Sequence, residues 1–408
     1  MAHGHATWPA SSTEANWACS GRLALIDGLP ETTSEAADWG TCCHTIGEQC
    51  LRDPIRQAVD YVGSTIKGKQ FEFEVDEEMA DTAQVYVDYV RALVVDGAAL
   101  RVEQRFSLDA LKPPFDAGGT ADAVVYKPKL RNLEVVDLKG GRGVVVAATG
   151  NKQLRTYALG AALANPALQF DTVTVTIVQP RADHRDGRIR SETFHLADLL
   201  EWTADLLEAM RQSFRAFTER KQMPDGAWQT GYLHAGDHCK FCPAAGFCPA
   251  LEQRATDAAG VWFDDLDRPR ISNRPEDFTP EQLAQRLDML DMIQEWANAV
   301  RAYAHRQAEG GVEIPGYQLV EKIGNRAWGV PEQDVVNVLE ANGVERDKLY
   351  TRKIVSPAQA EKLLGAKKKA AVAPLTERPS RGTSLVATGK TTRPAAVAAV
   401  NKHFDVLD

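Results

Sequence analysis

Residues 133–139 read LEVVDLK, and the reading of this stretch decides the fold. Leu133, Val135, Val136 and Leu138 predict a strand buried in a core, yet Asp137 and Lys139 close it with opposite charges. Residues i and i+2 of a strand point to the same side, so the two charges share a face. The bland explanation is an ion pair at a strand end, a weak feature when exposed. The flanking elements are what argue for more.

Upstream, GTADAVVYK (119–127) predicts a second strand, and ALRVEQRFSL (99–108) alternates like a third. Downstream, KQLRTYALGAALA (152–164) predicts a helix, and DTVTVTIVQP (171–180) is a β-branched strand stopped by Pro180. Further helices are expected over 77–95, from Gly40 toward Tyr61, and over 196–221, with loop and short helix before residue 35. This order predicts an α/β core with a mixed central sheet, a meander followed by a crossover, flanked by helices. A helical segment is expected over about 278–309, a small α+β piece over 312–365, and a basic Ala/Thr/Pro-rich tail from 366 to 408.

With 408 residues, the chain has room for one large domain and appendages, or for two to three domains. The formal net charge of -9 argues against coating nucleic acid by bulk electrostatics, though not against gripping it in one cleft. No apolar run is long enough to span a membrane, and the N-terminus lacks the pattern of a secretory signal, so a reducing cytoplasm is expected. There is no G-x-x-x-x-G-K-[ST], so no nucleotide cofactor is expected.

Four patterns occur in order: G-T-C-C-H (Gly40 to His44) opening a helix, G-T-A-D (Gly119 to Asp122) on a strand, D-L-K (Asp137 to Lys139) ending the next, and Q-L-R-T-Y (Gln153 to Tyr157) on the following helix. Gln153 and Tyr157, four apart, share a helix face. Each pattern taken singly has an ordinary structural explanation. There are seven cysteines, and in a reducing compartment they point to metal binding or catalysis rather than disulfides. HCKFCPAAGFCP (238–249) sets Cys239, Cys242 and Cys248 close together. Three thiolates at this spacing need a fourth ligand to hold a tetrahedral zinc or an iron–sulfur cluster.

G-x-x-x-H, G-x-x-D, D-x-K and Q-x-x-x-Y in this order resemble the RecB-type branch of the PD-(D/E)xK nuclease superfamily, over roughly residues 10–255. The stretch SSTEANWACSGRLALIDGLP with SEAADWGTCCH also resembles a phage- and prophage-encoded RecB-like family of otherwise undefined function. Two positions depart from that pattern: C-S-G-R (Cys19 to Arg22) stands for the usual C-P-G-S, and Trp39 stands where an acid often precedes the glycine.

The resemblance implies a restriction-endonuclease-like nuclease domain over 1–255, a helical or α+β extension over 256–365, and the tail over 366–408. It implies a metal-dependent DNA exonuclease in phage recombination or DNA processing, with a single-strand annealing protein as a candidate partner. Mg²⁺ or Mn²⁺ would be held by His44, Asp122, Asp137 and the backbone carbonyl of Leu138, oxygen-rich ligands suited to hard cations. Lys139 would orient or help deprotonate the attacking water and counter phosphate charge, with Gln153 and Tyr157 positioning Lys139 or the DNA backbone. Glu103 is a further acidic candidate. Cys19 would complete a [4Fe-4S] staple with Cys239, Cys242 and Cys248, closing a loop of about 220 residues. Zinc is the alternative metal, Cys42, Cys43 or Cys50 the alternative ligands, and His238 a bystander. Rival readings are a structure-specific endonuclease, a non-cutting DNA- or partner-binding module, and a zinc-stabilised structural protein.

Overall fold

The computed structural model describes residues 6–30, 33–142, 144–260, 279–312 and 314–317. In chain order these form β1 (Trp8–Pro9), α1 (Thr13–Ala18), α2 (Arg22–Ile26), α3 (Glu35–Arg52), β2 (Thr65–Lys67), β3 (Glu72–Glu74), α4 (Glu77–Leu93), β4 (Ala99–Ser107), β5 (Ala117–Lys127) and β6 (Asn132–Leu138). There follow α5 (Lys152–Ala164), β7 (Thr172–Val178), β8 (Ile189–His195), α6 (Leu196–Glu219), α7 (Asp225–Tyr232), α8 (Pro249–Gly260) and α9 (Pro280–Glu309). The chain divides into two compact units, Met1–Tyr317 and Gln318–Asp408, and the second lies outside the described residues. The expected α+β piece and the basic tail therefore fall almost wholly outside the description.

LEVVDLK is the strand it was expected to be. All seven residues of β6 are buried, because the strand is central and both its faces are covered. The sheet runs β4–β5–β6–β7–β8, with β1 pairing in parallel with the start of β5. β6 and β7 are parallel and joined by the crossover helix α5; β4–β5, β5–β6 and β7–β8 are antiparallel. The expected mixed sheet, meander then crossover, is present, and helices cover both faces. Leu133 and Val135 face α5 and α6, packing with Leu154, Ala158, Leu206 and Met210. Val136 and Leu138 face α3 and α4, packing with Cys43, Ile46, Met79 and Val87. Each fully buried aliphatic side chain contributes about 1.5–3 kcal/mol, so these four fix β6 strongly enough to carry charged neighbours inward.

Two boundaries differ from expectation. α3 begins at Glu35 rather than Gly40, because Ser34 accepts a hydrogen bond from the Ala37 amide and caps the helix there. It stops at Arg52, just before Asp53-Pro54, rather than running to Tyr61. The β2–β3 hairpin, β1 and β8 were not anticipated. The helix expected near 278–309 is α9, giving the described unit a helical C-terminal region. Among the described residues no helix is long and apolar enough to cross a membrane.

Asp38, in the first turn of α3, ties that helix to the hairpin. Its carboxylate accepts from the backbone amides of Gln70 (2.6 Å) and Phe71 (3.0 Å) and from the Thr33 hydroxyl (2.8 Å). Burial alone would raise its pKa, but these hydrogen bonds hold it below the usual carboxylate range. A depressed folded-state pKa means the contribution is complete above the unfolded value of about 3.9 and is lost as pH falls through the lower folded value. Asp38→Ala is expected to speed hydrogen exchange at the Gln70 and Phe71 amides and to flatten the acid side of the stability–pH profile. Unchanged exchange at both amides would sink this assignment.

Candidate functional site

The ladder between β5 and β6 ends with Ala123 opposite Val136. One step on, the Leu138 amide donates to Asp122 Oδ2 (2.8 Å), so a side chain replaces the next ladder bond. This places Asp122 beside Asp137. From α3, His44 Nδ1 lies 3.2 Å from the same Asp122 oxygen. Gly140, next to Lys139, lets α3 approach closely: a Cβ there would sit 3.2 Å from Gly40 Cα. The Trp39 ring, where an acid was expected, is covered by the Arg181 guanidinium at 3.8 Å, and Arg181 donates to the Gly140 carbonyl (3.0 Å). That stack fixes the turn after Lys139 without an acid at position 39.

On the opposite face, α5 supplies the rest. Lys139 Nζ donates to Gln153 Oε1 (3.0 Å), Gln153 Nε2 donates to Tyr157 Oη (2.8 Å), and the same nitrogen lies 3.4 Å from Asp137 Oδ1. Asn151 caps α5 by accepting from the Leu154 amide, which fixes where Gln153 and Tyr157 emerge. The structure thus brings together His44, Asp122, Asp137, Lys139, Gln153 and Tyr157. Leu138 takes part through its amide. Glu103 joins them: ligand atoms of His44, Glu103 and Asp122 lie within 4.8 Å of one another. Sequence alternation marked Glu103 as an acid on the preceding strand, but its proximity depends on strand register.

The two buried acids of β6 differ in how they are satisfied. Glu134 pairs with Lys127 and accepts from the hydroxyls of Tyr89 (2.7 Å) and Thr176 (2.7 Å). Asp137 is 2% exposed, and its Oδ2 has no hydrogen-bond donor. Lys139 Nζ is 2.9 Å from that oxygen but off the hydrogen-bonding direction. Burial raises the Asp137 pKa. At Asp122 burial is outweighed by the charge of His44, and its carboxyl stays low. Burial, then the Asp122 charge, pushes Glu103 up to about 7. Burial opposes the charge of His44, but Asp122 overrides it and raises the imidazole to about 9. An imidazole and three carboxylates, with ligand atoms of His44, Glu103 and Asp122 mutually within 4.8 Å, fit a hard divalent cation.

Cys19, Cys239, Cys242 and Cys248 line one cavity with Arg22, His234 and His238. The C-S-G-R turn brings Cys19 there: the Gly21 amide donates to the Tyr232 carbonyl (2.8 Å), and a Cβ on Gly21 would sit 2.9 Å from that oxygen. Backbone amides point at three of the sulfurs, from His234 to Cys19 (3.5 Å), from Gly236 to Cys239 (3.4 Å), and from Ala250 and Leu251 to Cys248. Burial, and then neighbouring thiols, push Cys239 up to about 11, so ionising the set calls for a compensating cation. Four thiols, three of them facing amide donors, fit a soft metal centre. His238 lines the same cavity and donates to the His234 carbonyl (2.8 Å). Cys42, Cys43 and Cys50 are buried between the sheet and α4, away from this cavity.

A family model described as "Protein of unknown function (DUF2800)" matches residues 5–394. The chain belongs to that family. Among solved structures, one titled "Crystal structure of SSO0001" is similar at 14% sequence identity, covering 57% of this chain and 94% of its own, with a TM-score of 0.23.

Two outcomes are expected of these family-member residues. Because His44 is protonated up to about pH 9, its pair with Asp122 supports the metal-free fold fully below about 6.5, and that support is lost as pH rises through about 9. A cation must displace that proton, so Mn²⁺ affinity should rise by up to about tenfold per pH unit between pH 7 and 9, with proton release in calorimetry. A pH-independent affinity would remove His44 from the ligand set. Cys19→Ala should lower affinity for the tightly bound metal by roughly tenfold or more and reduce the unfolding midpoint, as read by elemental analysis and calorimetry. Full metal retention would exclude Cys19.

Proposed function

We propose that this protein is a divalent-metal-dependent deoxyribonuclease of the RecB type that acts as an exonuclease on DNA ends. One observation carries the reading. Asp122, Asp137, Lys139 and Gln153 come from two strands and a helix, yet Lys139 and Gln153 both reach the buried Asp137 carboxylate, and the Leu138 amide holds Asp122 beside it. A surface ion pair between Asp137 and Lys139 would not need Gln153, Asp122 and His44 gathered about it. The intact lysine and both aspartates favour cutting over mere binding.

A bound Mg²⁺ or Mn²⁺ would polarise the scissile phosphate and help supply a nucleophile near neutral pH. The protein groups have distinct tasks. Asp122 and Asp137 present oxygens from the ends of neighbouring strands. Lys139, held between Asp137 and Gln153, orients the attacking water and offsets charge building on the phosphate oxygens. Gln153 fixes Lys139 and is itself fixed by Tyr157. The four-cysteine cavity is read as the seat of a [4Fe-4S] cluster that staples the start of the nuclease domain to its end. Zinc, which is colourless, is distinguished from it by the visible spectrum of anaerobically purified protein.

End-labelled linear duplex, linear single strands and closed circles, incubated with the full chain and Mg²⁺ or Mn²⁺, test the function. Linear substrates are expected to be degraded and circles spared, with Lys139→Ala slowing degradation by about 10²–10³-fold. Cutting of circles would replace the reading with an endonuclease. Metal-loaded protein that cuts nothing would replace it with a DNA- or partner-binding module.

A further inference from the structure

Glu103, Asp122 and Asp137 occupy one row across three neighbouring strands. In β4 and β5, Val102 is opposite Ala123 and Gln104 opposite Ala121, which sets Glu103 opposite Asp122. The β5–β6 register, ending at Ala123 and Val136, sets Asp122 opposite Asp137 one step on. Regular pairing is interrupted in this row on both sides of β5. At Glu103 the interruption has a local form: its φ is +52°, a left-handed conformation that non-glycine residues seldom adopt.

Like charges directly opposite one another across strands repel. Here three carboxylates are aligned, and the nearby cationic groups are already engaged, His44 with Asp122 (3.2 Å) and Lys139 with Asp137 (2.9 Å). Glu103 nonetheless turns in, its oxygen within 4.8 Å of ligand atoms of both His44 and Asp122. Independently, the Asp137 side chain, at 2% exposure, keeps one oxygen without a hydrogen-bond donor at the end of the same row. Compare Glu134, three residues earlier on β6, whose carboxylate is fully occupied by Lys127, Tyr89 and Thr176. The sheet can close off a buried acid with hydroxyls, and at Asp137 it leaves Oδ2 with the Lys139 ammonium at 2.9 Å and no hydrogen bond of regular geometry.

We propose that Glu103 is a metal ligand, the third carboxylate of a divalent-cation site completed by His44, Asp122 and Asp137. The assignment deepens the nuclease reading by naming a further ligand of its cation. It accounts for the left-handed backbone at Glu103, which breaks the strand's alternation and lets this side chain join the others. Three carboxylates and one imidazole suit Mn²⁺ or Mg²⁺.

Titration calorimetry of the full chain with Mn²⁺, without DNA, tests the proposal on wild type, Glu103→Gln and Glu103→Gly. Both variants remove the charge, and glycine also suits the positive φ, so it keeps the test decisive if glutamine impairs folding. Each is expected to weaken Mn²⁺ binding by about tenfold or more while the metal-free unfolding midpoint is held or raised. A folded variant that binds Mn²⁺ within about twofold of wild type would overturn the assignment, since that is far less than a lost ligand costs. Wild type that binds Mn²⁺ through Glu103 but cuts no DNA would uphold the ligand and sink the nuclease reading instead.

Discussion

The Leu138 amide donating to Asp122 Oδ2 is the bond on which the arrangement turns. Backbone pairing between β5 and β6 has just ended, and an amide at that point would otherwise be buried without an acceptor. Asp122 satisfies it, and in doing so is pinned beside Asp137. Two carboxylates are thereby held together by the sheet's need to complete its own hydrogen bonding. His44 then follows on electrostatic grounds: an imidazole placed against Asp122 is drawn to its protonated form, and the pair lowers the cost of the buried charge. The β5–β6 register sets Asp122 opposite Asp137, and that amide bond fixes the direction of the Asp122 side chain.

The energetics explain why this site sits at the end of the most buried strand. A carboxylate in an apolar interior without compensation costs more than its neighbours' burial can return. β6 carries two acids, and the four aliphatic side chains between and around them set its position. Glu134 is neutralised on the spot by Lys127 and two hydroxyls, so it is a structural acid. Asp137 receives one lysine at Oδ2 and one glutamine amide at Oδ1, and no hydroxyl of the kind that completes Glu134. The difference separates a carboxylate closed off by a lysine and two hydroxyls from one met only by a lysine and a long glutamine contact.

Much of this was legible in the sequence. Apolar runs and their periods reveal β4 to β7, α4, α5 and α6, since burial imposes the pattern that such reading detects. β8 escaped because it is an outer strand written IRSETFH, whose polar residues hide the alternation. β1 escaped because two residues have no period. His44, Asp122, Asp137, Lys139, Gln153 and Tyr157 were legible as ordered motifs. Glu103 was legible as an acid but not as a neighbour, because the register of β4 on β5 and a left-handed φ decide its place. Cys19 was legible through resemblance; its spacing from Cys239 says nothing by itself.

The two candidate metal centres are joined mechanically through the N-terminal segment. α1 ends one residue before Cys19, and it packs against both α5 and α6. Thr156 of α5 donates to Thr13 Oγ1 (3.2 Å), and Lys152 pairs with Glu14 (2.9 Å), so α1 grips the turn of α5 that carries Gln153. Ser213 of α6 reaches the Asn16 carbonyl (3.5 Å) from the other side. Cys19, docked against Tyr232 and His234, anchors the end of this strip to the cysteine-rich segment. A short helix such as α1 has little stability of its own. What fixes it is attachment at both ends, to α5 and to the four-cysteine cavity. A metal binding those thiols would therefore stiffen the support of Gln153, and through Gln153 the lysine beside Asp137, with no direct contact between the two centres required.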